Sequence, residues 1–443
     1  MKRILYSLYI LMAVLITGCG SSYEETQVDT SVARLAAFSF AANDSMPGLK
    51  AAVFTIEERI DTGLVWNKDS MLFGTDLHRV VPRFTFASTP DAAYLTMPDS
   101  IVVLTGYDTL DFTQQPIYLT IRSADKSNTK TYEIRPTVHS MDPDLYTWTQ
   151  LTEGIYPEDD SEQRVVELGN AFVLIKSNGF ALRAYQSADG ADWTDMGEPD
   201  GLPDGTNVRQ IVSDGTTLFY GQGNNIYIST DVLNWSVTSV NHTIHTMLMC
   251  WNDSVWALAE NDGYELAVWK DGDFRMTNLR PTDDFPISDF ATVTFLSSSM
   301  RRRAIIIGGF AENGRSLNTR WNLEYSRHIP QNGGYRLQEF SIDRPSFTSL
   351  TGISVVSYNH QLLLFGGVND QMSYFGRDIL ISNDEGLNWT AADTAKNQLP
   401  EAYQARQKQN AIVRDNFIYL FGGQDTETTH SDVYRGRLNS IDW

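Results

Sequence analysis

Cysteine is almost missing from this 443-residue chain: there are two, Cys19 and Cys250. With Cys19 at the end of an N-terminal leader, neither an intramolecular disulfide nor a cysteine-based zinc site can be built from the pair. Basic residues are also short, 34 Lys plus Arg against 55 Asp plus Glu, for a net charge of −21. That balance repels phosphate backbones, and nucleic acid is excluded as a partner. No apolar run reaches the ~20 residues that a membrane-spanning helix needs. The seven histidines are scattered, so neither a metal site nor a cofactor is expected.

What the chain does have is 42% hydrophobic and 12% aromatic residues, enough for a large core. A single core rarely grows past ~250–300 residues, so two domains are expected. Residues 31–140 read as short alternating strands: Ala33 to Phe40, Ala51 to Ile56, Arg83 to Ala87, Ile101 to Leu104, Ile117 to Ile121 and Lys130 to Arg135. Turn formers such as Asn43-Asp44, Pro98-Asp99 and Ser127-Asn128 separate them, a pattern that predicts a β-sandwich. Met141-Asp142-Pro143-Asp144 reads as a linker.

The N-terminus carries Lys2 and Arg3, an apolar run from Ile4 to Ile16, and then Leu15-Ile16-Thr17-Gly18-Cys19. This string resembles the lipobox of bacterial lipoproteins. The resemblance implies a signal peptide over 1–18, lipidation at Cys19, a flexible tether over 19–30, and a protein held on a membrane by its lipid. The acidic Glu24-Glu25 pair just after Cys19 resembles export signals of Gram-negative surface lipoproteins, which implies an outer-membrane anchor, facing the cell surface or the periplasm. Val80 to Phe86, Tyr118-Leu119-Thr120 and Thr131-Tyr132-Glu133 resemble the immunoglobulin-like modules of such proteins.

Beyond the linker the sequence repeats. Ser187-Ala188-Asp189-Gly190-Ala191-Asp192-Trp193, Ser229-Thr230-Asp231-Val232-Leu233-Asn234-Trp235 and Ser382-Asn383-Asp384-Glu385-Gly386-Leu387-Asn388-Trp389 are copies of one turn. Ser and Asp side chains satisfy backbone N–H groups there, Gly supplies a positive φ, and Trp covers the turn. Val268-Trp269-Lys270-Asp271-Gly272-Asp273-Phe274 is an eroded copy. A second mark is an apolar run ending in Gly-Gly: Ile305 to Gly309, Leu362 to Gly367 and Ile418 to Gly423. The first mark resembles the Asp-box and the second the kelch blade. Trp193 and Trp235 lie 42 positions apart, while Gly308, Gly366 and Gly422 are separated by 58 and 56, in the range of four-stranded propeller repeats.

The expected fold is therefore all-β: an N-terminal immunoglobulin-like sandwich over 31–140, then a six-bladed kelch-like β-propeller over 145–443. Its first strands are read at Arg164 to Leu168, Val208 to Ser213, Thr246 to Cys250, Ala291 to Leu296, Ile353 to Tyr358 and Asn410 to Arg414. The segment 145–151 has no repeat of its own and is expected to supply the outer strand that closes the ring.

The resemblance implies that ligands meet the loops on the Gly-Gly side. Candidate contacts there are Arg315, Tyr374, Arg377 and His430 from the loops, with Arg164, Arg209, His245, Arg406 and Gln407 near the starts of the innermost strands. Aromatics beside amide and acid groups suit a glycan or protein ligand. Arg164, Arg209 and Arg406 occupy equivalent inner positions and suggest an anion site. Three functions follow: a non-catalytic binding or scaffolding module, a glycan-active enzyme of sialidase-like hydrolase or lyase type with an arginine-lined channel, or a structural subunit of an outer-membrane complex. Cys250 reads as a small buried hydrophobe, and Arg301-Arg302-Arg303 as a solvated turn.

Overall fold

The computed structural model describes residues 29–60, 62–157, 159, 161–270, 272–329, 331–341, 349–394 and 396–439. Residues 1–18, read above as a leader, lie outside the described residues, as do Cys19 and Asp271. No helix among the described residues is long and apolar enough to cross a membrane. The chain divides between Asp142 and Pro143 into two units.

In the first unit, Leu35–Phe40 pairs with Pro82–Phe86. A mixed sheet of six strands runs in the order Phe54–Glu58, Thr62–Asn67, Thr129–Arg135, Ile117–Arg122, Ala92–Met97, Ser100–Val103. Phe38 and Phe40 from the small sheet meet Phe54 edge-on, with ring centroids 4.7 and 5.5 Å away. Val65, Leu95, Ile117, Leu119 and Ile134 fill the core behind them. Two of these strands, Thr62–Asn67 and Ala92–Met97, escape the reading of alternation. Thr62–Asn67 runs parallel to Thr129–Arg135, a long-range partnership with no local mark.

The second unit is a β-propeller. Four-stranded antiparallel sheets begin at Glu162, Ala291, Ser354 and Asn410, and a six-stranded sheet spans Val212 to Met276. Apolar clusters join each sheet to the next: Phe172 and Leu174 of the first sheet pack with Tyr419 and Phe421 of the last, so the series returns to its start. Runs such as Ala171–Ser177 and Leu362 to Phe365 are buried on both faces, which is why they read as unbroken apolar stretches rather than alternations.

The six-stranded sheet departs from the expected strand starts. Ser236–Trp251 is one long strand, pairing through Ser236 to Ser239 with Asn225 to Ile228 and through Ile244 to Trp251 with Ser254 to Ala259. It contains neither Gly nor Pro and is rich in β-branched residues, so nothing in it forces a turn. Val208–Gln210 is a 3₁₀ turn, and only Val212–Ser213 of that predicted first strand is extended.

The outer strand of the last sheet is Tyr146–Thr152, antiparallel to Thr429–Leu438. The Gly-Gly doublets sit where each sheet meets the segment leading to the next. Gly309 N donates to Leu350 O at 2.7 Å and Gly367 N to Arg406 O at 2.9 Å. A Cβ on Gly308 would stand 2.3 Å from Leu350 O, and one on Gly366 2.6 Å from Arg406 O. Positive φ and this close approach together require glycine.

The three Ser-Asp-Trp turns share one hydrogen-bond scheme. Asp189 Oδ1 accepts from Ala191 N and Asp192 N at 2.9 and 3.0 Å, Asp231 Oδ1 from Leu233 N and Asn234 N at 3.1 and 2.8 Å, and Asp384 Oδ1 from Asn388 N at 2.8 Å. Each Trp Nε1 donates back into its turn, to Gly190 O, Val232 O or Gly386 O. The backbone donors hold the Asp189 and Asp231 carboxyls below the ordinary 3.8. At Asp384, burial pushes upward but the Asn388 donors outweigh it, and that carboxyl is low as well. A folded pKa below the unfolded value gives stability that is present above about pH 4 and lost as pH falls through the folded value. The variant Asp189→Asn/Asp231→Asn/Asp384→Asn is therefore expected to lose less stability than wild type between pH 7 and pH 3. Urea unfolding at the two pH values measures this, and an equal drop in both proteins would contradict it.

Arg301-Arg302-Arg303 is more than a solvated turn. Glu324, 1% exposed, receives Arg301 on Oε1 and lies 3.1 Å from Arg303 through Oε2. Arg303 also reaches Glu385 of the neighbouring sheet. A buried carboxylate needs such partners, and the strand pairing of Arg302–Ile307 with Thr319–Tyr325 supplies them.

Candidate functional site

The inner strands surround a central channel of about 800 Å³. Its walls come from Glu162, Arg164 to Glu167, Val212 to Gly215, Thr246 to Cys250, Ile287 to Thr294, Ile353 to Ser357 and Gln409 to Val413. Because side chains alternate along a strand, every second residue of each inner strand points into this space and its neighbours pack between sheets.

The two ends differ in charge. At the end where inner strands begin lie Arg164, Arg209 and Lys408, with Glu162 and Asp289. Arg164 Nε donates to Ile211 O at 3.1 Å and Nη1 to Asn410 Oδ1 at 3.4 Å. Burial, with Arg209 close by, pushes its guanidinium down to about 10. Arg209 Nη1 donates to Lys408 O at 2.6 Å, and its Nε stands 3.7 Å from Asp289 Oδ1. Burial lowers its pKa too, opposed by Asp289 and Glu162. Lys408 Nζ donates to Glu162 Oε1 at 2.8 Å. Three residues further along the first strand, Glu167 has its carboxyl pushed up by burial, and Asp214 lies exposed beside it on the lining. Cys250 also lines the channel; burial raises its thiol to about 12, which leaves it protonated and unreactive at neutral pH.

A second polar group adjoins the cationic end. The backbones of Gln407 and Gln424 exchange hydrogen bonds of 2.9 and 2.8 Å. Tyr374 lies close by, its hydroxyl raised by burial and by the charge of Asp425. His430 Nε2 lies 2.9 Å from Asp425 Oδ2. Burial raises the Asp425 carboxyl, but the amides of Glu427 and Thr428, with His430, outweigh it and hold it low. Backbone donors fix Asp425, and Asp425 in turn holds His430, so this part of the face is formed before any ligand arrives.

The nine sequence-derived contacts thus separate. Arg164 and Arg209 share the channel, and Tyr374, Gln407 and His430 gather around Asp425. His245 stands apart, its ring edge-on to Tyr264 at 4.8 Å, while Tyr264 donates to Glu312 Oε1 at 2.8 Å. Arg315 is more than half exposed and pairs with Asp284, and Arg377 Nε donates to Leu399 O at 2.8 Å.

Arg406 requires a correction. It is 1% exposed and absent from the channel wall. Its guanidinium makes a two-pronged pair with Asp432, with Nη2 to Oδ2 at 3.1 Å, donates from Nε to Gln404 O at 2.9 Å, and lies 4.5 Å over the Tyr403 ring. An arginine triad around the channel does not exist, and the enzyme reading built on that triad loses its geometry. Lys408, Glu162 and Asp289 were missed. Glu162 opens the strand that carries Arg164, and Asp289 and Lys408 each stand two residues before the strands that begin at Ala291 and Asn410.

Among the described residues no group of three or more His, Cys, Asp or Glu is placed to hold a metal ion.

A family model described as the DUF6242 beta propeller domain matches residues 142–443, and one described as the DUF6242 N-terminal domain, a domain of unknown function, matches 25–135. No curated protein matches the chain. Among solved structures, one titled "Structure of YjhT" is similar at 13% identity and a TM-score of 0.46, covering 63% of this chain and 96% of that one.

Proposed function

The chain belongs to the DUF6242 family, with a β-propeller as its C-terminal domain, and from that premise we propose that it is a non-catalytic binding or scaffolding module. Its ligand, a glycan or a protein, meets the face where the inner strands begin. One observation carries this reading: the roughly 800 Å³ channel is lined at that end by Glu162, Arg164, Arg209 and Asp289, and the neighbouring Asp425 and His430 are already held by backbone amides and by each other. Flat rings beside fixed amide and acid groups are what recognition of hydroxyl-bearing or peptide ligands uses.

The finer architecture belongs to the same proposal. We read six kelch-like blades with Asp-box turns, the six-stranded sheet being two blades that share Ser236–Trp251. Six apolar clusters of described residues, one between each consecutive pair of blades, support this count. The first unit is read as an immunoglobulin-like sandwich, supported by two sheets meeting over the Phe38 and Phe54 core. Lipidation at Cys19 and an outer-membrane surface location are proposed on Leu15-Ile16-Thr17-Gly18-Cys19 alone.

A glycan array and a pull-down from intact cells test the function. Retention of a ligand by wild type and a loss of affinity of about tenfold or more in Tyr374→Ala/Asp425→Ala, as expected for central contacts, is the anticipated result. Turnover of a fluorogenic glycoside panel by the wild-type protein would overturn the non-catalytic reading.

A further inference from the structure

We propose that the cationic end of the channel binds the carboxylate of a small acidic molecule, with Arg164 as its principal contact. The proposal rests on the binding reading above and deepens it by naming the ligand chemistry.

Arg164 is a half-buried charge without an opposite. Of the three cations at this end, Lys408 is paired with Glu162 at 2.8 Å. Arg209 has Asp289 at 3.7 Å. Arg164 has no carboxylate within ion-pair distance among the described residues; its two side-chain acceptors are the neutral Ile211 O and Asn410 Oδ1. Burying a guanidinium against neutral partners alone is costly, because amide dipoles do not replace the water that a full charge gives up. Folding tolerates such a group where a counter-ion from solution completes it.

The surroundings are also rich in donors and poor in acceptors. Asn410 is 4% exposed and spends its oxygen on Arg164, which leaves Nδ2 with no partner. Thr246, fully buried on the channel lining, also has its hydroxyl unpartnered. Ordered water can satisfy neutral donors, but only an anion also answers the charge.

Charge decides the class of anion. Three cations and two acids leave one positive charge at this end, which a carboxylate balances and a phosphate dianion exceeds. A guanidinium edge matches the two oxygens of a carboxylate in plane. The channel volume, about 800 Å³, accommodates anything from a simple acid to a sugar acid. In a chain with a net charge of −21, long-range electrostatics do not collect anions, so affinity must come from this local arrangement.

The test uses full-length protein in low-salt, low-chloride buffer, titrated calorimetrically with acetate, glucuronate, inorganic phosphate and glucose. Carboxylate binding is expected, together with a rise in melting temperature by mass action, and glucose should give neither. Glucuronate binding above acetate points to a sugar acid as the source, and equal binding to a simple acid. Arg164→Met should weaken carboxylate binding by about tenfold or more, the scale of a lost charge-assisted hydrogen bond. Arg164→Lys should keep part of it and serves as the folded comparison if Arg164→Met melts early. Three results overturn the inference: no carboxylate binding to wild type, binding unchanged in Arg164→Met, or tighter binding of phosphate. Array ligand lost in Tyr374→Ala while acetate and glucuronate fail to bind would sink this inference and leave the binding face standing. Carboxylate binding without any array or pull-down ligand does the reverse.

Discussion

Deleting residues 144–151 abolishes the cooperative thermal transition of the propeller domain. Tyr146–Thr152 is paired with Thr429–Leu438, nearly the whole length of the domain away in sequence. Three side-chain-assisted contacts hold its start: Tyr146 N donates to Asn397 Oδ1 at 2.9 Å, Asn397 Nδ2 to Asp144 O at 3.0 Å, and Thr147 Oγ1 to Asn439 Oδ1 at 2.8 Å. Tyr146 is buried in the cluster joining the last two sheets, and Trp148 meets Phe365 edge-on with centroids 5.9 Å apart. Removing a large buried aromatic costs about 3–5 kcal/mol each. Tyr146, the half-buried Trp148 and a ladder of backbone hydrogen bonds together approach the lower end of the about 5–15 kcal/mol by which domains are ordinarily stable. The deletion also bares Thr429–Leu438 as a long edge, which favours aggregation. Calorimetry of the deletion variant decides the matter, and a melting curve like that of wild type would show that the ring holds without this strand.

Asp432→Ala is expected to destabilise the propeller by about 3–5 kcal/mol, because it strands the Arg406 guanidinium in the interior without its counter-charge. The side chains of the pair are 1% and 11% exposed. With Asp432 in place the pair overcomes burial and raises Arg406 further, so the arginine stays charged throughout the accessible pH range. Arg406→Met/Asp432→Leu removes both charges and should recover most of the loss, since an apolar replacement of a buried pair is often close to neutral. Denaturant unfolding of the three proteins measures the cycle. A loss below about 1 kcal/mol in Asp432→Ala would place Arg406 in contact with solvent.

These two cases mark where reading the chain works and where it stops. The Ser-Asp-Trp turns are legible because every hydrogen bond that defines them spans four residues or fewer. The Gly-Gly doublets are legible for a similar reason: a positive φ and an apolar run are both local properties, even though the backbone that crowds Gly366 belongs to Arg406, forty positions on. Arg406 occupies an inter-sheet segment as Arg209 does, so the repeat makes the two look equivalent although their side chains go different ways. The conformation of that segment sends one side chain into the channel and the other in toward Asp432.

An all-β chain in two parts, with a repeating second part, is legible in the order of side chains, since composition, alternation and turn chemistry act over a few residues. It took the folded chain to show that Ser236–Trp251 runs unbroken through two sets of partners, that Arg164 is left without a carboxylate, and that Arg406 turns inward to Asp432. Each of these depends on which strands become neighbours around the ring and in what register. A shift of one residue exchanges a side chain between channel and core, and nothing in the local pattern encodes that choice.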